Sequence, residues 1–200
     1  MFNGDSHDYA AEVAEVTKNG LSLAVRSRLP AVRESWLKLT VVQAVSRGER
    51  MDQTLQKCTE LGAAVFQPLL TERVEVRLGG DKLTRRLKHW QGVVISACEQ
   101  SGRAVIPEVR EPLLLTDWLR QEPEGRRFVL DPGAELPLSE ADIPAPLELV
   151  VGPEGGFSDA ELERMHVAGL VSLRLGPRVL RTETAAPAAV AVLQSMAGDL

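Results

Sequence analysis

Two short segments near the end of the chain could do chemistry. Gly152-Pro153-Glu154-Gly155-Gly156-Phe157 follows the apolar run Leu147-Glu148-Leu149-Val150-Val151. Leu175-Gly176-Pro177-Arg178-Val179-Leu180-Arg181-Thr182-Glu183-Thr184 follows a second apolar run and leads into an Ala-rich stretch. Glycine and proline after a buried strand produce a tight loop whose backbone N–H and C=O groups are open to a ligand. In open α/β sheets, ligands lie outside the carboxyl ends of the strands, where both loops fall. The spacing therefore implies a site built largely from backbone, with a polar cluster beside it. Arg178, Arg181, Thr182, Glu183 and Thr184 crowd polar groups between two apolar segments.

Several familiar chemistries are excluded. Gly152-Pro153-Glu154-Gly155-Gly156 is not a G-x-G-x-x-G, and no Gly-Lys-Ser/Thr follows it, so neither a Rossmann dinucleotide loop nor a P-loop is supported. No G-x-S-x-G nucleophile elbow occurs. His7, His89 and His166 have no metal-ligand spacing to one another or to Cys58 and Cys98, so no metal site is expected.

The elements that must position the two loops read as alternating strands and helices. Ser158-Asp159-Ala160-Glu161 is a capping box that holds the first loop against a helix start. For the last helix, Thr184 as N-cap would put Pro187 in the first turn, where its missing N–H costs nothing, and leave Glu183 just outside the helix. Its Ala185, Ala186, Ala188, Ala189 and Ala191 let another backbone come close. Upstream, strands are expected at 36–45, 64–70, 105–109 and 127–130. Helices are expected at 50–61, closed by Gly62, at 81–100, closed by Gly102, and at 115–121. Residues 136–146 read as a loop. Repeated strand–helix–strand order implies a mainly parallel sheet with helices on both faces. Ahead of it, 8–26 alternate as a β-hairpin about Asn19-Gly20, and 27–35 read as a linker.

Two hundred residues suit one ordinary domain with a small appendage. Net charge is −5, so the molecule as a whole does not advertise nucleic-acid binding. From Arg73 to Arg103, however, seven Lys/Arg stand against three Asp/Glu, a local basic patch sufficient for phosphate. No apolar stretch approaches the ~20 residues of a membrane span, and no signal-peptide pattern opens the chain. Both cysteines fall in expected helices, which favours buried, reduced thiols and a cytoplasmic location.

The two loops also carry a resemblance. Together with Gly48-Glu49-Arg50-Met51-Asp52, Gln56-Lys57, Thr59-Glu60-Leu61-Gly62, Pro68-Leu69-Leu70-Thr71-Glu72-Arg73 and Glu99-Gln100-Ser101-Gly102-Arg103, in that order, they resemble the ribosomal RNA small subunit methyltransferase E (RsmE) family of the SPOUT superfamily. The likeness covers about residues 35–200. It implies an α/β domain with a C-terminal trefoil knot, a homodimer, S-adenosylmethionine as methyl donor, and methylation of N3 of one uridine in 16S rRNA near the decoding site.

Carried over by motif, Gly152, Glu154 and Gly155 would flank the cofactor. Leu175, Gly176 and Leu180 would hold its adenine, and Thr184 and Ala185 would close the pocket. Arg181 would stabilise charge on the uracil, with Glu183 the nearest base, provided burial raises its pKa. Arg73, Arg85 and Arg103 would contact the RNA. The family begins with a PUA-like β-barrel, of which residues 1–34 would be the final hairpin and linker, leaving apolar surface exposed. A late start codon or a truncation would account for that. The rival readings are a ribose 2′-O-methyltransferase of the same superfamily and a non-catalytic RNA-binding protein.

Overall fold

The central strands bury every side chain. β3 (Leu39–Ala44) and β8 (Leu147–Val151) have no exposed residue, as expected of strands covered on both faces. Along β3, Val41 belongs to one apolar cluster and Val42 to another, and along β8 the same is true of Leu149 and Val150. The period-2 alternation of a strand thus feeds two cores, one on each face of a single sheet.

The computed structural model describes residues 1–31, 33–74 and 80–200. Among them, the chain runs β1 (His7–Thr17), β2 (Gly20–Pro30), β3, α1 (Arg50–Glu60), β4 (Val65–Leu70), α2 (Asp81–Ser101), β5 (Glu108–Val109), β6 (Leu113–Leu114), α3 (Leu115–Trp118), β7 (Arg126–Leu130), a 3₁₀ turn (Leu138–Glu140), β8, α4 (Asp159–Val167), β9 (Val171–Leu173) and α5 (Thr182–Ala197). The main sheet is wholly parallel in the order β5-β4-β3-β8-β7-β9, with β6 beside β4. The larger core lies under α1, α2 and α5, through Met51, Leu55, Trp90, Val94, Ala186, Ala189 and Leu193. The smaller one lies under α3 and α4, through Leu115, Trp118 and Met165.

The expected α/β architecture is therefore present, with shifts at the margins. Gly62 and Gly102 follow their helices with φ of 90° and 75°, the left-handed region that favours glycine. The expected strand 105–109 shortens to two residues, and the helix at 115–121 to four. Residues 27–30, read as linker, instead extend β2, because the hairpin register continues from Ala10–Ser27 to His7–Pro30.

The hairpin does expose apolar surface. Val13, Val16, Leu21, Leu23 and Val25 are all exposed. Its base is tied to the main domain. The Ser6 N–H donates to the Ala104 carbonyl at 3.3 Å, and Gly4 lies against Ile106 so closely that an added Cβ would come within 2.8 Å of it.

Candidate active site

The carboxyl ends of β7, β8 and β9 converge on a cavity of about 480 Å³. Each strand delivers its last residues or its following loop: Leu130 to Pro132 after β7, Val151 to Glu154 after β8, and Leu175 with Gly176 after β9. The N-terminus of α5 closes the opposite side with Arg181, Glu183 and Ala185. Both Gly-Pro loops thus line one cavity, at the place a parallel α/β sheet offers for a ligand.

The first loop is held from three sides. Ser158 caps α4, and the capping box with Glu161 is complete. Glu161, 1% exposed, also accepts from the Glu72 N–H at 2.8 Å, so one buried carboxylate joins the loop after β4 to the start of α4. Glu72 in turn accepts from the Ser158 hydroxyl at 2.7 Å and from Arg164 at 3.2 Å. The Ser158 hydrogen bond, then Arg164, hold the Glu72 carboxyl below its ordinary range. Arg73 donates to the Gly155 carbonyl at 2.7 Å. At the loop's start, Glu154 accepts from the Arg47 N–H and from Arg50, each at 2.9 Å. Burial works against ionisation of Glu154, but backbone N–H groups and the Arg50 guanidinium outweigh it and lower its pKa.

The second loop meets the first through Thr182, whose hydroxyl donates to the Gly152 carbonyl at 2.7 Å. This anchor corrects the expected helix start. α5 begins at Thr182 with Arg181 as N-cap, not at Thr184, and the Thr184 and Ala185 N–H groups bond to the Arg181 carbonyl. Pro187 then lies inside the helix, where its lack of an N–H deprives the Glu183 carbonyl of its helical partner. Glu183 therefore stands in the first turn. One of its carboxylate oxygens is 3.7 Å from Arg50, and the other is buried without a hydrogen-bond partner among the described residues.

Of the residues expected at the cofactor, Gly152, Glu154, Leu175, Gly176, Leu180 and Ala185 line the cavity, as do Arg181 and Glu183. Gly155 and Thr184 do not. Gly155 is turned to solvent under Arg73, and the earlier start of α5 leaves Thr184 exposed. Arg73 and Arg85 are exposed, Arg85 donating to the Asp81 carbonyl at 3.2 Å. Arg103 is a correction. It is 5% exposed, donates to the Thr59 and Ala63 carbonyls, and pairs with Glu34 at 2.8 Å. Its donors are committed inside the protein, so it is not an RNA contact. Arg77 of the basic run lies outside the described residues.

Sequence reasoning gave no site role to Arg50, Asp131, Pro132 and Leu162, all of which line the cavity. The Asp131-Pro132-Gly133 turn after an apolar run was the available signal for two of them. Arg50 was present only within the Gly48–Asp52 match, at the start of a helix whose other features concern the core. Cys58 and Cys98 are free and buried, as expected. Burial pushes the Cys58 thiol far up, and Cys98 up to about 11. No group of His, Cys, Asp and Glu among the described residues could hold a metal ion.

S-adenosylmethionine suits these surroundings. It needs apolar walls for an adenosine, backbone groups for its edges and acceptors for its cationic and hydroxyl groups. The cavity has Leu130, Phe157, Leu162 and Leu180 as walls, Gly176 at φ 74° with no Cβ in the way, and the carboxylates of Asp131, Glu154 and Glu183 in its lining as acceptors.

Comparison with known proteins agrees. Residues 33–194 match the model of the RNA methyltransferase domain. The ribosomal RNA small subunit methyltransferase E of Buchnera aphidicola subsp. Schizaphis graminum is 32% identical over 204 aligned positions, covering 100% of this chain and 82% of the relative. The protein of that name from Mycobacterium bovis is 38% identical, covering 89% of this chain and 70% of its own. Among solved structures, a Legionella pneumophila protein in complex with the bound cofactor SAM superposes with a TM-score of 0.94 at 42% identity, covering all of this chain and 83% of the other. The ribosomal RNA small subunit methyltransferase E of Neisseria gonorrhoeae, bound to S-adenosyl methionine, gives 0.93 at 35% identity with the same coverage. With its motifs in order and its cavity where those loops meet, this chain belongs to the ribosomal RNA small subunit methyltransferase E family.

Proposed function

We propose that this protein transfers a methyl group from S-adenosylmethionine to N3 of one uridine in the 16S rRNA of the small ribosomal subunit. The observation that carries the reading is the convergence of Arg181, Glu183 and Arg50, with Asp131, Glu154 and Arg178 beside them, on a cavity walled for the rest largely by backbone and apolar side chains. When bound, S-adenosylmethionine supplies an electrophilic methyl group on a sulfonium cation.

Gly152, Leu175, Gly176, Leu180 and Ala185 hold the adenosine end, largely through backbone. Glu154, fixed by Arg50 and the Arg47 N–H, keeps the first loop in place. Leu130, Phe157 and Leu162 keep water out. Uridine N3 is nucleophilic only without its proton, and a cation and an anion combining to neutral products are favoured in such a dry site. Glu183, which lines the cavity, is the nearest carboxylate to take that proton. Arg181, exposed at the cavity edge, stabilises the charge that develops on the uracil oxygens. Arg73 and Arg85, both exposed, are the phosphate contacts beside a target base that must be splayed out.

The same reading makes the protein a cytoplasmic homodimer, and no helix among the described residues is long and apolar enough to cross a membrane. It divides the chain into a PUA-like barrel portion at 1–34 and a methyltransferase domain at 35–200. It also threads the C-terminal segment as a trefoil knot. The pinning of α5 beneath Gly152 and its small, buried Ala186 and Ala189 support that threading.

The test is methylation of assembled small subunits and of naked 16S rRNA with S-adenosylmethionine, followed by nucleoside analysis. 3-Methyluridine is the expected product. A 2′-O-methyl nucleoside would move the protein to the ribose-modifying reading. Absence of S-adenosylmethionine binding in calorimetry would leave only RNA binding.

A further inference from the structure

Two buried side chains beside the reacting groups, Gln43 behind the cavity wall and Thr182 in it, take no part in the chemistry so far. Gln43, near the end of β3, is 0% exposed, and Thr182, at the start of α5, is 5% exposed. We propose that Gln43 and Thr182 are positioning residues, a polar joint that sets the separation between the cofactor loop at Gly152 and the Arg181–Glu183 pair.

The hydrogen bonds run one way. Gln43 Nε2 donates to the Ala44 carbonyl and to Thr182 Oγ1, each at 2.9 Å. Thr182 Oγ1 then donates its single proton to the Gly152 carbonyl at 2.7 Å. A hydroxyl that both accepts and donates in this way has its orientation fixed. Reversing the Gln43 amide would set its oxygen against the Ala44 carbonyl, so the amide orientation is fixed too. β3 and β8 are paired so that Gln43 lies opposite Val151, the residue before Gly152.

The joint connects two loops 30 residues apart in sequence, and does so from the buried side, opposite the half-exposed guanidinium of Arg50 that links Glu154 and Glu183. Gly152 opens the first loop and Thr182 ends the second. Arg181 and Glu183 flank Thr182 directly and line the cavity. Arg181 makes no side-chain cap bond, so the start of α5 is located by the Thr182 hydroxyl and not by an ordinary N-cap. The arrangement also has a cost: Gln43 Oε1 is buried without a partner among the described residues. An apolar side chain would fill the same space without that penalty, so the amide is retained for what its N–H groups hold.

The inference rests on the proposed methyl transfer. Failure of that function would appear as no turnover in the unaltered chain, whereas failure of the joint would appear only in the variants. Thr182→Val, Thr182→Ser and Gln43→Met are compared in the full chain. The readouts are kcat at saturating S-adenosylmethionine and small subunits, the Kd for S-adenosylmethionine, and thermal unfolding. Thr182→Val and Gln43→Met are expected to fold and to lose about 10²-fold in kcat, since a misplacement of about 1 Å costs that much. Their Kd rises by less than kcat falls, about tenfold at most, because Gly152 is one of several backbone contacts to the cofactor whereas the Arg181–Glu183 pair acts in the transition state. Thr182→Ser keeps the hydroxyl and recovers kcat to within about threefold. The proposal is overturned if folded Thr182→Val or Gln43→Met retains kcat, or if Thr182→Ser is as impaired as Thr182→Val. It is equally overturned if both variants fail to fold, since the joint then serves stability alone.

Discussion

Arg50 donates to Glu154 at 2.9 Å, which brings the first residue of α1 into the site formed by the loop after β8. The same guanidinium lies 3.7 Å from Glu183. A single arginine therefore stands between the cofactor loop and the proposed base.

If Arg50 keeps Glu154 and its loop in place, Arg50→Ala should weaken S-adenosylmethionine binding about tenfold, or about 1.4 kcal/mol, the scale of one charge-assisted hydrogen bond. Calorimetry on the folded variant checks this. An unchanged Kd would remove Arg50 from the binding machinery.

Arg181 should matter more than Glu183 to the chemical step. Arg181→Ala is expected to lower kcat about 10²- to 10³-fold at saturating cofactor and RNA, comparable to losing one oxyanion donor. Glu183→Gln should cost less. Near-normal turnover in Arg181→Ala would refute the assignment.

Acid should loosen the first loop. Glu154 and Glu72 both have carboxyl pKa values below the ordinary 4.5. The unfolded chain therefore takes up protons first as pH falls, so their stabilisation is complete above 4.5 and is lost as pH drops through the lower folded values. Glu154→Gln should flatten the fall in unfolding free energy below about pH 4.5. Chemical denaturation across that range measures it, and an unaltered slope would rule it out.

Arg103 should behave as a structural residue. Arg103→Ala removes the guanidinium that pairs with Glu34 and donates to the Thr59 and Ala63 carbonyls, leaving Glu34 only the Ala104 and Val105 N–H groups, which should cost about 3 kcal/mol in urea unfolding. RNA affinity per folded molecule should not change. A stable variant with weakened RNA binding would restore the sequence-based expectation.

The main architecture was legible because it depends on local pattern. The runs in β3 and β8, the 3.6-residue stripe of Met51, Leu55 and Cys58, and the glycines at 62 and 102 are each written within a few residues. So was the capping box at Ser158 and Glu161, whose partners are three positions apart. The start of α5 was misread for the opposite reason. Helix-start rules weigh Pro187 and Thr184 and place the cap late. They contain nothing about Gly152, 30 residues away in sequence, whose carbonyl takes the Thr182 proton. Arg103 was misread similarly, as a cation in a basic stretch, because its partners Glu34, Thr59 and Ala63 lie far off along the chain.

The sequence by itself determined the family and the α/β class, and it brought forward the two Gly-Pro loops that line the cavity. Only the tertiary structure decided which polar groups remain free to act. It assigned Arg103 to the interior, Arg50 to the site, and Gln43 with Thr182 to the joint behind it. The physical reason is that a donor's availability depends on every acceptor within hydrogen-bond reach, and here those acceptors come from elements that meet only once the sheet has formed.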